Sequence, residues 1–104
     1  MKRNKSRFFQ IGQRDLNEPL ITAVLDRAQV HYKLLPPGFG ADILIFDWMF
    51  FIEVKNPSRP PSGRRLTEDE LELQAMCDER GVPYHVVEYP EHMMTIVNSA
   101  RESR

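Results

Sequence analysis

Cysteine is almost absent from this sequence: Cys77 is the single one among 104 residues, so the chain cannot form an internal disulfide. A lone cysteine is typical of proteins in a reducing compartment. Long apolar runs are also lacking, and none approaches the roughly 20 residues that a membrane-spanning helix needs. The basic N-terminus is not followed by an apolar signal core. We therefore expect a cytoplasmic protein that is neither secreted nor bound in a membrane.

Net charge is small as well, at −1. The positive charges nevertheless form two groups with no acid among them. The first group lies in an N-terminal segment, residues 1–14, and comprises Lys2, Arg3, Lys5, Arg7 and Arg14. The second group follows the middle of the chain and comprises Lys55, Arg59, Arg64 and Arg65. Local potential, rather than net charge, attracts phosphate groups. We expect both groups to contact a nucleic-acid backbone, with a solvated tail as the alternative for the first.

The length leaves room for one hydrophobic core, and we treat residues 1–104 as a single domain without repeats. Apolar spacing, capping residues and turn residues predict the order α-β-β-β-α-β-α. The predicted elements are a helix over 17–29, strands over 31–35, 41–46 and from 49 or 50 to 56, a helix over 67–81, a strand over 84–89 and a helix from Pro90. We expect an α/β fold with a mixed sheet. Because both sides of the 41–56 hairpin are apolar, helices should cover both faces.

Helical spacing also assigns side chains to the core, namely Leu20, Ile21, Val24, Leu25, Ala28, Leu73, Met76, Cys77, Met93, Met94, Ile96 and Val97. Between the third strand and the second long helix, residues 56–65 combine prolines, a glycine and arginines. That composition predicts an unstructured, mobile basic loop.

Three polar residues stand in or beside the apolar strands of the hairpin: Asp42, Glu53 and Lys55. Side chains alternate along a strand, so Glu53 and Lys55 share a face. A hairpin turn with an even number of residues, 47–48 or 47–50, would place Asp42 on that face too. Two adjacent carboxylates require a cation, and hard oxygen ligands favour Mg²⁺ or Mn²⁺. An ion pair on an exposed sheet is the alternative.

This constellation resembles the PD-(D/E)xK nuclease superfamily, which has an Asp, a spacer and Glu-x-Lys between two helices. Within it, the chain is most similar to the stand-alone virus-type replication-repair nuclease (VRR-NUC) family, many members of which come from bacteriophages. The likeness rests on Arg14-Asp15-Leu16-Asn17-Glu18-Pro19, Gly38-Phe39-Gly40-Ala41-Asp42, Phe51-Ile52-Glu53-Val54-Lys55 and Arg64-Arg65-Leu66-Thr67-Glu68-Asp69-Glu70. The glutamine that the family carries early in the second helix has Glu70 or Leu71 at its position. We interpret the nearby Gln74 as a surface or partly buried helix residue rather than a catalytic one.

We therefore expect a metal-dependent DNA endonuclease. Asp42 and Glu53 would bind Mg²⁺ or Mn²⁺ together with the main-chain carbonyl of Val54, and Lys55 would act on the attacked phosphodiester. The resemblance implies that Glu18 brings a further carboxylate from the first helix and that the product carries a 5′-phosphate. For Glu18 the alternative is an acid favoured by a helix N-terminus. The alternatives for the whole chain are a non-catalytic nucleic-acid-binding module and an interaction protein.

Large apolar residues occupy the predicted hairpin turn, at Trp48, Met49 and Phe50, where Gly, Asn or Asp is usual. Such residues at a turn suggest that a second surface covers them. Stand-alone enzymes resembling this one are thought to resolve Holliday junctions as two-fold dimers. We therefore expect a homodimer that cuts four-way junctions, with these three residues in its interface. The alternative is that Trp48 and Met49 fold back over their own sheet.

Overall fold

The computed structural model describes residues 17–103, and this part of the chain folds into three α-helices and four strands. In chain order they are α1 (Glu18–Arg27), β1 (Tyr32–Leu34), β2 (Ile43–Ile45), β3 (Phe50–Val54), α2 (Glu68–Arg80), β4 (Tyr84–Val87) and α3 (Pro90–Glu102), with a 3₁₀ helix (Pro61–Arg64) before α2. The α/β class and the order α-β-β-β-α-β-α are confirmed. Within residues 17–103, no helix is long and apolar enough to cross a membrane.

The four strands form one mixed sheet in the order β1-β2-β3-β4. The pairs β1–β2 and β2–β3 are antiparallel, whereas β3 and β4 run parallel. In the central hairpin Ile45 faces Phe50 and Ile43 faces Ile52, which leaves residues 46–49 as the connecting loop. Residues that face each other across two paired strands point to the same side of the sheet, and the length of the loop decides which residues pair.

One face of the sheet forms the hydrophobic core. Helices α1 and α3 pack against each other over this face. Its members that are almost fully buried are Ile21, Leu25, Ile43, Ile45, Ile52, Val54, Val87, Met93 and Val97. The assignments of Leu20 and Met94 to the core were wrong, because both side chains are exposed on these helices. An apolar stripe broader than the contact between two helices leaves its marginal positions in solvent.

Helix α2 lies against the opposite face, where it packs on β4. It begins with the expected capping box, in which the Thr67 hydroxyl accepts from the Glu70 backbone and the Glu70 carboxylate accepts from the Thr67 backbone. It ends at Gly81 in the left-handed conformation, φ +73°. Met76 is 56% exposed, so its assignment to the core was wrong. This face is only partly covered, since Phe46 is exposed.

Residues 56–65 contain regular local structure, so the expectation of an unstructured loop was wrong. The Asn56 side chain accepts hydrogen bonds from the backbone and hydroxyl of Ser58, and the 3₁₀ helix Pro61–Arg64 follows. Prolines restrict the backbone before any contact forms, which favours such short turns. The mobility of this segment stays a prediction.

Candidate active site

The hairpin register brings Asp42 and Glu53 together. Asp42 immediately precedes β2, and its backbone N–H donates to the carbonyl of Ile52 at 3.0 Å. The register ends at the pair of Ile43 and Ile52, so Asp42 and Glu53 lie just beyond it, and Lys55 follows Glu53 by two residues on the same face. One carboxylate oxygen of Asp42 accepts from the Val54 backbone N–H at 2.8 Å, which orients the side chain along β3. Asp42, Glu53 and Lys55 therefore lie close together at this end of the hairpin.

The Lys55 ammonium lies between two acids, Glu53 and Glu70. The relative exposure of Glu53 is 4% and that of Lys55 is 8%. The Lys55 Nζ lies 3.3 Å from Glu53 Oε2 and 2.9 Å from Glu70 Oε1. Buried charges require such pairing, because an isolated ammonium or carboxylate away from water is strongly destabilising. The burial argues against an ordinary ion pair on an exposed sheet.

Glu70 is the functional residue whose role the sequence did not reveal. The capping pattern Thr-x-x-Glu explained it as a helix start, and the family resemblance placed either Glu70 or Leu71 at the position of a glutamine without assigning it a role. In the fold, however, one oxygen of its carboxylate accepts from both the Thr67 backbone at 2.8 Å and the Lys55 ammonium at 2.9 Å. The N-terminus of α2 is thereby attached to the centre of the site. Only the packing of α2 against this face of the sheet creates the contact, so helical spacing could not predict it.

The closeness of these acids changes the pKa values of Glu53 and Glu70. Burial, followed by the charges of Asp42 and Glu70, raises the pKa of Glu53 to about 9, and Lys55 only partly opposes the shift. Burial would raise the pKa of Glu70, but hydrogen bonds from Thr67 and Lys55 outweigh it and leave that pKa below its ordinary value. A protonated Glu53 then donates a hydrogen bond to the Glu70 carboxylate. Near neutral pH the two acids together hold one proton when no metal ion is bound.

The lysine keeps its charge in this setting. Burial lowers the pKa of Lys55, but hydrogen bonds and charges from Glu70 and Glu53 outweigh burial, and the net shift is upward. Lys55 therefore supplies a fixed positive charge rather than a base. Such a charge suits the stabilisation of an anion that forms during a reaction.

These side chains line a cleft of about 440 Å³ between the hairpin, the 3₁₀ helix and α2. Its polar lining includes Asp42, Glu53, Lys55, Arg59, Asp69 and Glu70. Acids outnumber bases there, so a phosphodiester would meet net negative charge on approach. A bound divalent cation would reverse that balance.

The loop before Asp42 is held against α2 at Gly40. The φ of Gly40 is +110°, and a Cβ there would lie 2.7 Å from the Asp69 carbonyl oxygen and 2.8 Å from the Leu73 Cβ. The Tyr84 hydroxyl donates to the Gly40 carbonyl at 2.6 Å from β4. A side chain at position 40 would therefore push the loop, and with it Asp42, away from the cleft.

Asn17 and Glu18 occupy the start of α1, beside the ends of β3 and β4. Asn17 makes no side-chain cap hydrogen bond within the helix; its amide donates to the carbonyls of Lys55 at 3.2 Å and Glu88 at 2.6 Å. Glu18 is buried, with 6% exposure, but it is not among the residues that line the cleft. The fold thus brings Asp42, Glu53 and Lys55 together without Glu18, whose role at the metal stays a prediction.

The donor set for a metal ion within residues 17–103 is limited. In this part of the chain, no three His, Cys, Asp or Glu side chains are grouped closely enough to hold a metal ion by themselves. Of the acids that line the cleft, Asp42 and Glu53 are the pair that the sequence predicts as ligands. Because N–H and C=O of one strand residue point to the same side, the Val54 carbonyl faces the strand that carries Asp42. Two carboxylates and one carbonyl fit the oxygen preference of Mg²⁺ and Mn²⁺, with water completing the shell.

The arginines after β3 differ in their availability. Arg59 lines the cleft and Arg65 is exposed. Arg64 instead forms an ion pair with Glu88 at 3.6 Å, and 28% of its side chain is exposed. Lys2, Arg3, Lys5, Arg7 and Arg14, which were predicted to bind DNA, lie outside the described residues.

The large apolar residues of the predicted hairpin turn differ in their exposure. Phe50 is 5% exposed within the single chain, and Trp48 packs against the core and stacks on Phe50 with ring centroids 6.2 Å apart. Their burial does not require a partner. Met49 is 54% exposed, and its φ of +59° is unusual for a residue with a Cβ.

No protein-family model, curated protein or solved structure matches this chain. The interpretation of the site therefore depends on its own residues and geometry.

Proposed function

We propose that this chain is a Mg²⁺- or Mn²⁺-dependent DNA endonuclease of the VRR-NUC type. It would act in the cytoplasm, which is that of the host cell if a phage encodes the protein. The observation that carries the proposal is that Asp42, Glu53 and Lys55 lie close together in one cleft. A carboxylate pair beside a buried, charged lysine matches the needs of phosphodiester hydrolysis, in which negative charge accumulates on the phosphorus oxygens.

A divalent cation bound in this cleft would polarise the phosphodiester and lower the pKa of a bound water. Asp42, Glu53 and the Val54 carbonyl would hold it. Lys55, held in place by Glu70, would orient the attacking water or neutralise the oxygens as the water oxygen bonds to phosphorus. The bond from phosphorus to the 3′-oxygen breaks, which leaves a 5′-phosphate on the product.

The proposal is tested by cleavage of a panel of single-stranded, duplex, flap and four-way-junction DNA with Mg²⁺ and with chelator. Magnesium-dependent cutting supports the endonuclease. DNA binding without cutting would instead identify the alternative, a nucleic-acid-binding module on the same fold. Neither binding nor cutting would favour an interaction protein whose Glu-x-Lys is coincidental.

The role of Glu70 is tested by a matched pair of substitutions. Glu70→Gln retains a capping-box residue but removes the charge that holds Lys55, and we expect kcat to fall by roughly 10- to 100-fold, as for other outer-shell partners. Thr67→Ala leaves the Glu70–Lys55 contact and should cost about 0.5–2 kcal/mol of stability with activity retained. Equal kcat values in the two variants, with equal stability, would show that Glu70 is only a cap.

The arginines are expected to contribute unequally to DNA binding. Arg59→Ala and Arg65→Ala should each reduce the slope of log affinity against log salt by up to ~0.9 per lost phosphate contact. Arg64→Ala should change the slope less, since the Arg64 guanidinium already forms an ion pair with Glu88. Salt titrations of duplex binding measure the slopes, and slopes unchanged in all three variants would exclude the segment from the interface.

We further propose a homodimer that prefers four-way junctions, because one chain supplies one site whereas a junction must be cut on two strands. Its support in this chain is Met49, exposed at the tip of the hairpin loop in a costly conformation.

Light scattering at about tens of micromolar, a range suited to weak interfaces, should give the mass of two chains. Met49→Asp should shift it toward one chain, whereas Met94→Asp, at an exposed methionine on α3, should not. A monomeric parent protein, or equal cutting of junction and linear DNA, would contradict this assembly.

A further inference from the structure

An exposed aromatic ring lies beside the cleft and has no part in the chemistry described above. Phe39 stands between Gly38 and Gly40, both of which line the cleft, and the residue is 46% exposed. Among the phenylalanines of residues 17–103, Phe46 is the other exposed one, with 59% exposure, and it lies beyond β2 at the far end of the hairpin. Exposure alone therefore does not distinguish Phe39, but its position does.

The ring of Phe39 rests on a second ring next to the acids. The centroids of Phe39 and Phe51 are 6.0 Å apart, with an angle of 37° between the ring planes. Phe51 precedes Glu53 by two residues on β3, so the two side chains point to the same face roughly 7 Å apart along the strand. Phe51 supports the Phe39 ring, and 46% of Phe39 stays exposed at the margin of the cleft, next to the lining residues Gly38 and Gly40.

The backbone around Phe39 is fixed before any ligand arrives. Gly40 approaches α2 so closely that a Cβ would collide with Asp69 and Leu73, and Tyr84 donates to its carbonyl. The Phe39 N–H donates to the Pro36 carbonyl at 3.2 Å. A ring on such a rigid turn loses little conformational freedom when a flat group stacks on it.

The flat group that accompanies a phosphodiester is a nucleobase. In duplex DNA both faces of a base are covered by its neighbours, so only an unpaired or extruded base can stack on a side chain. Arg59, across the same cleft, provides a positive charge for the backbone of that strand. An aromatic platform with a cationic groove is the common arrangement for binding single strands.

We propose that Phe39 is a stacking platform for an unpaired DNA base next to the phosphodiester to be cut, so that the substrate is DNA that is single-stranded or locally unpaired at the cleavage site. In a four-way junction, the base next to the cut would have to leave its pair. This inference rests on the proposed nuclease function. It concerns substrate choice and assigns Phe39 no role in bond breaking.

The test measures binding of fluorescent oligonucleotides in the Asp42→Asn background, which should bind without cutting. Adding Phe39→Ala should weaken binding of a single strand by roughly 5- to 100-fold, the range for loss of one base–aromatic stack. Phe39→Trp should restore it, and the control Phe46→Ala should equal the parent. A 2-aminopurine placed in the strand should be quenched by the parent protein and not by Phe39→Ala.

The outcomes separate this inference from the function it rests on. If wild-type protein cuts DNA while Phe39→Ala and Phe46→Ala bind single strands equally, the platform is wrong and the nuclease stands. Equal weakening of blunt duplex and single strand by Phe39→Ala would also overturn it, because no unpaired base would be involved. If the parent neither binds nor cuts any DNA, both proposals fail.

Discussion

Asp42→Asn, Glu53→Gln and Lys55→Ala are each expected to slow Mg²⁺-dependent DNA cleavage by roughly 100-fold or more, the usual effect of removing one group that acts on the transition state. Each acid removes a charged metal ligand, and Lys55→Ala removes the fixed charge beside the phosphorus. Circular dichroism and melting should show that all three variants fold, because the core on the opposite face of the sheet is untouched. Initial rates on the best substrate of the panel measure the effect.

Glu72→Gln is the matched control, since Glu72 is an exposed acid on α2 that does not line the cleft. Its rate should stay close to that of the wild-type protein. Near wild-type cleavage by any one of the three site variants would remove that residue from the chemistry.

Glu53→Gln should also change the dependence of stability on pH. The pKa of Glu53 is raised from 4.5 to about 9 in the folded chain, mainly by burial. Between those pH values the folded state holds a proton that the unfolded state releases. Stability from this group is therefore fully present below about pH 4.5 and is lost as pH rises through 9. The pKa of Glu70 is lowered and that of Lys55 raised, so neither group titrates inside this window.

In chelator, the wild-type free energy of unfolding should decline from pH 5 to pH 8 more steeply than that of Glu53→Gln, whose amide does not titrate. At pH 8 the variant should be the more stable of the two. Denaturant titrations at both pH values measure the difference. Parallel pH slopes would show that Glu53 ionises normally and that the pair of acids does not share a proton.

The sequence predicted the arrangement of the site because its geometry follows from strand alternation. The even loop between Ile45 and Phe50 sets the pairing as far as Ile43 and Ile52, so Asp42 and Glu53 come next at its end, and Lys55 follows two residues later. The start and end of α2 were also predicted, because the capping contacts of Thr67, Glu70 and Gly81 are made with residues only a few positions away in the sequence. Strand alternation and helix-capping patterns are sufficient to predict contacts between residues that are close in the sequence.

Contacts between distant elements were not predictable in this way. The bond from Glu70 to Lys55 depends on where α2 docks, and the exposure of Leu20 depends on how closely α1 approaches α3. The burial of Trp48 against its own core likewise depends on the path of the hairpin loop. In each case residue type and spacing are compatible with several packings, and tertiary contacts select one.

The pairing of Asp42 and Glu53 around a divalent cation is most directly tested by calorimetric titration of Mn²⁺ into the wild-type protein and the Asp42→Asn/Glu53→Gln double variant at pH 8. We expect saturable binding by the wild-type protein, with release of a proton as Glu53 ionises, detected by repeating the titration in buffers of different ionisation enthalpy. The double variant should show neither binding nor proton release at the same concentrations. Equal Mn²⁺ binding by both proteins, or none by the wild-type protein, would contradict a metal site formed by these two carboxylates.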